Sequence, residues 1–117
     1  MPDVDRSADI KVTAAQGRVT AEIPLAGHAS EHWLALFREL ASQRFPGTAP
    51  SADAAEREGR TWVIIRLLAD HPARDTESML DTVSTLISEA NGMEQQAQSG
   101  AAQTEAAIRG WWARQQR

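Results

Sequence analysis

The sequence predicts an α+β fold: a small three-stranded mixed or antiparallel sheet in β-β-α-β-α order, two helices on one face, and an additional C-terminal helical tail. Three observations predict it. Residues 60–70, Arg-Thr-Trp-Val-Ile-Ile-Arg-Leu-Leu-Ala-Asp, hold a strand-favouring apolar run from Trp62 to Ala69 that only Arg66 breaks. Residues 9–25 hold two runs in which apolar and polar side chains alternate, the period of a half-buried strand. Residues 30–45 and 75–91 carry apolar side chains at helical spacing, enough for a stripe on each helix.

Each element has its own local reason. Residues 1–8 are polar and form a loose leader. Ile10, Val12 and Ala14 then alternate with Asp9, Lys11 and Thr13, and Val19, Ala21, Ile23 and Leu25 alternate with Arg18, Thr20 and Glu22. Gln16-Gly17 lies between the two runs, and its glycine can take the positive φ of a hairpin turn. Pro24 cannot donate to a ladder and belongs near a strand end or on an edge. Ser30 caps the first helix and Glu31 suits its first turn. Trp33, Leu36, Phe37, Leu40 and Ala41 form its stripe, and Pro46-Gly47 stops it.

Residues 46–59 carry no large apolar side chain and read as a mobile connection. After the central strand, Asp70-His71-Pro72 breaks the chain, and Asp75 or Thr76 can cap a second helix. Met79, Leu80, Val83, Leu86, Ile87 and Ala90 make its stripe, and Asn91-Gly92 offers a left-handed stop. Residues 1–92 thus form one α+β domain. Residues 93–117 form a Gln- and Ala-rich connection followed by an amphipathic tail helix carrying Ile108, Trp111 and Trp112 with Arg109, Arg114 and Arg117.

The central strand is apolar on both faces. Val63, Ile65 and Leu67 point one way, and Trp62, Ile64 and Leu68 point the other way with Arg66 among them. Leaving Trp62, Ile64 and Leu68 wet would forfeit roughly 5–8 kcal/mol, comparable to the net stability of a small domain. The tail folded back in cis, an identical chain or a different protein partner could cover that face. Trp62, Ile64, Leu68, Ile108, Trp111 and Trp112 are therefore the expected interface, in a homodimer or with another protein. Adjacent indoles at 111 and 112 stand about 100° apart on a helix, so one of them looks away from whatever the other buries.

Chemistry is poorly represented. His28-Ala29-Ser30-Glu31-His32 reproduces the H-x-x-E-H string of inverted zinc peptidases, which needs both rings on one helix face. A helix starting at Ser30 leaves His28 in the preceding loop, so His28 and His32 stand only as weak metal candidates. Arg66 needs a partner if buried. Glu22 is the expected one, and an anion docked on the sheet is the functional alternative. The seven glycines are isolated from one another, so no phosphate loop occurs. No cofactor and no catalytic set is expected.

The chain has no cysteine, which excludes disulfides and thiolate metal sites. A formal charge of −4 disfavours nucleic acid, leaving only a weak footprint in the Arg- and Trp-bearing tail. No apolar run is long enough to span a bilayer, and the acidic start is unlike a secretory signal. A soluble cytoplasmic interaction module is the expectation.

Overall fold

Strand pairing decides the architecture. The computed structural model describes residues 2–116, and among them the chain runs β1 (Asp3–Val4), β2 (Lys11–Ala15), β3 (Arg18–Ala26), α1 (Glu31–Arg44), β4 (Ser51–Arg57), β5 (Arg60–Leu68) and α2 (Ala73–Gln115). The five strands form one antiparallel sheet in the order β1-β3-β5-β4, with β2 also pairing to β3. β1 lies against Leu25 and Ala26, and β2 lies against Arg18–Glu22. The two short strands therefore share one side of β3, and β5 takes the other.

This corrects the expected three-stranded mixed or antiparallel sheet, whose two missing strands come from the segments read as leader and mobile loop. β1 is only two residues long and has no periodicity to detect. β4 is hidden for a different reason. Its inward side chains are Ala52 and Ala54, and alanine is depleted in strands by propensity. Its pairing is supplied by β5 across a two-residue turn, in which Glu58 (φ 56°) and Gly59 (φ 74°) take the two positive φ values of a type I′ hairpin. Gln16 and Gly17 repeat that geometry between β2 and β3, as the sequence predicts.

The inner face is built in rows. Ile65 stands between Ala21 and Ala52, and Val63 between Ile23 and Ala54. Small residues beside the large ones of β5 leave room for helices to settle on the sheet. Trp33, Phe37 and Ala41 of α1 and Met79, Val83, Leu86, Ile87 and Ala90 of α2 fill that room. Trp33 stacks on Phe37 with centroids 5.4 Å apart. The outer edge of β4 is occupied by Arg38, whose guanidinium donates to the Ala54 carbonyl (2.7 Å) and to Asp53 (3.0 Å). A charged side chain there blocks further strand addition.

The second helix does not end at Asn91-Gly92. Residues 75–91 and the tail are parts of one helix of 43 residues. Asn91 is a helix stop by residue type, yet here its side chain works inside the helix. Its Oδ1 accepts from Trp33 Nε1 at 2.8 Å, and its Nδ2 donates to the Pro2 carbonyl at 2.8 Å. One turn on, the buried Glu94 carboxylate accepts from the Ser30 hydroxyl, while Ser30 Oγ caps α1 by accepting from the Trp33 amide (3.1 Å). The start of α1 thus stands directly against that carboxylate.

Asn91→Leu should leave the buried indole N–H of Trp33 without an acceptor and free Pro2. The expected loss is about 1–3 kcal/mol in urea denaturation, larger than for Asn91→Gln.

Candidate interaction surface

The stripe that packs α2 onto its own domain does not stop where the domain stops. Val83, Ile87, Ala90 and Glu94 are buried, and the same alternating steps of four and three continue through Ala97, Ala101, Thr104, Ile108 and Trp111. Among the described residues Glu94 is the last buried position of α2. The 21 residues from Gln95 to Gln115 then extend for about 30 Å, which accounts for much of a molecule measuring 70 × 27 × 20 Å. Alanines at 97, 101, 102, 106 and 107 favour helix, and the Glu105–Arg109 pair at 2.6 Å adds i,i+4 support. On this arm Ile108, Trp111 and Trp112 are 60%, 52% and 56% exposed. The two indoles lie 6.2 Å apart and tilted.

The outer face of β5 is covered differently from the sequence expectation. Trp62 is only 9% exposed. The Lys11 ammonium sits 4.9 Å above its ring, and the Arg57 guanidinium lies 5.9 Å away. Arg57 is itself held by Glu22 at 2.6 Å. Long cationic side chains laid over an indole hide apolar surface and add a cation–π attraction. Ile64 is half-buried, while Leu68 remains 47% exposed. Arg66 is exposed, opposite Thr20 and Ser51, because the register places Glu22 across from Ile64 instead.

The structure brings Trp62, Ile64, Arg66 and Leu68 together on one sheet face, and Ile108, Trp111 and Trp112 on the arm. It does not bring the two groups together. His28 precedes the Ser30 cap and His32 lies in the first turn of α1, both exposed. Among the described residues no group of three His, Asp or Glu side chains is placed to hold a metal ion, and no helix is long and apolar enough to cross a membrane. An open groove of about 390 Å³ lies at one end of the sheet, lined by Asp5, His28, Glu56, Arg60 and Thr61 among others. Hydrogen bonds from the hydroxyl and amide of Ser7, with Arg60 nearby, hold the Asp5 carboxyl below its ordinary range.

A third surface escapes the sequence reading. Ile10, Val12 and Ala14 alternate as a covered strand would, yet all five residues of β2 are exposed. Val12 pairs with Ala21 and Ala14 with Val19, so they point to the helix side of the sheet. The helix layer covers β3 and stops short of them. Only the strand pairing, and not the alternation, reveals this.

No family model, no curated protein and no solved structure matches this chain.

Two measurements check this description. Trp62→Ala should cost about 3–5 kcal/mol in chemical denaturation of the isolated chain, as for a buried aromatic. A depressed folded-state pKa makes the Asp5 contribution full above the ordinary carboxylate value and lost as pH falls through the folded one. Asp5→Asn should therefore flatten the acid limb of the stability curve below about pH 4.

Proposed function

We propose that the chain is a non-enzymatic interaction module that self-associates, with the arm of α2 as its principal contact and the outer face of β5 at Ile64 and Leu68 as a lesser one. The observation that carries this reading is the continuation of the buried stripe of α2 into an arm with Ile108, Trp111 and Trp112 exposed. A polar helix extending into water has no use for three large apolar side chains near its end, and tryptophan is enriched among the residues that anchor interfaces. The capped indole of Trp62 moves the weight of the reading from the sheet to the arm.

Light scattering on the full chain and on a Trp111→Ala/Trp112→Ala variant tests it. The full chain should be an oligomer at micromolar concentration and the variant a monomer. Measured at a dilution where the full chain is also monomeric, unfolding of the variant's body should differ by less than about 0.5 kcal/mol, as for exposed positions. A full chain that stays monomeric throughout overturns the reading.

A further inference from the structure

We infer that the arm of one copy seats on the helix-side face of β2 in a second copy, around Val12 and with Ile10 just ahead of the strand, and that the exchange is reciprocal. This rests on the self-association proposed above and adds its docking site.

Both surfaces are apolar and both are open. Ile10 and Val12 are 57% and 60% exposed, matching the exposure of Ile108, Trp111 and Trp112. They cannot meet within one chain. Trp111 lies 17 residues past Glu94, about 26 Å along a straight helix, and folding back would break α2. A second copy supplies each patch with the other. In a two-fold exchange both pairs of patches are buried at once and the contact closes on itself.

Charge favours the same occupant. Residues 95–117 carry Arg109, Arg114 and Arg117 against the single carboxylate of Glu105, whereas residues 1–92 hold fourteen carboxylates against nine basic side chains. A basic arm is thereby drawn to an acidic body; of the charged neighbours of Ile10, Asp9 precedes it and Lys11 lies over Trp62 on the opposite face of the sheet. Covering Ile10, Val12, Ile108 and the indole of Trp111, with Trp112 turned aside, removes on the order of 400 Å² per copy, taking 150–250 Å² for a whole aromatic side chain. That is about half of the roughly 800 Å² per partner of a standard interface. The flanking arginine stems and alanines of the arm supply more.

The competing arrangement is edge-to-edge pairing of β2 with β2 of a second copy, because among the described residues the outer edge of β2 carries no arginine like the one on β4. The absence of cysteine makes cross-linking decisive. Val12→Cys mixed with Ile108→Cys should form an intermolecular disulfide under mild oxidation at a yield at least tenfold above either variant alone. Ala14→Cys serves as a second probe should Val12→Cys fail to fold, and Ser88→Cys mixed with Ile108→Cys should not link. Efficient self-linking of Thr13→Cys without the mixed product overturns the docking site in favour of edge pairing. A dimer by light scattering that gives neither product overturns the docking site and leaves self-association standing. A monomer overturns both.

Discussion

The contact on which the rest depends is the crossing of the two helices at Trp33. Its ring is fully buried and stacked on Phe37, while its N–H is held by Asn91. The same asparagine holds the carbonyl of Pro2, so one amide side chain joins α1, α2 and the entry to β1. Ser30 and Glu94 add a second tie one turn further along. Buried polar groups are costly unless partnered, and here each one named has its partner. That requirement fixes where α2 crosses α1, and thereby the direction in which the arm leaves.

Apolar patterning alone would let two helices slide on a sheet by one turn at little cost. The polar ties at Asn91 and Glu94 remove that freedom. They also explain why α2 ignores its own stop signal. A left-handed turn at Asn91 would forfeit both of its hydrogen bonds, whereas continuing costs only the weak helix propensity of Gly92 and Gly100, about 1 kcal/mol each.

Much of the fold was legible in the residues. The β2–β3 hairpin, the central strand, the Ser30 cap and the stripes of both helices follow from period and turn chemistry. What failed to show did so for physical reasons. Ala52 and Ala54 make an edge strand whose inward side chains are too small to mark a period, and its partner strand supplies the order. The cover over Trp62 comes from Lys11 and Arg57, charged side chains that a hydropathy reading places in water. The arm's exposed residues were visible as Ile108, Trp111 and Trp112, but their distance from the domain was not, because Asn91-Gly92 disguised one helix as two pieces. The bare face of β2 needed the strand order itself.

Because α2 is unbroken from the core to its end, the azimuth of Trp111 is phased to that of Val83. Deleting one residue between Gln95 and Glu105 would turn the indoles by about 100° and shorten the arm by only 1.5 Å, whereas deleting seven would draw them in by about 10 Å and return them to nearly their original bearing.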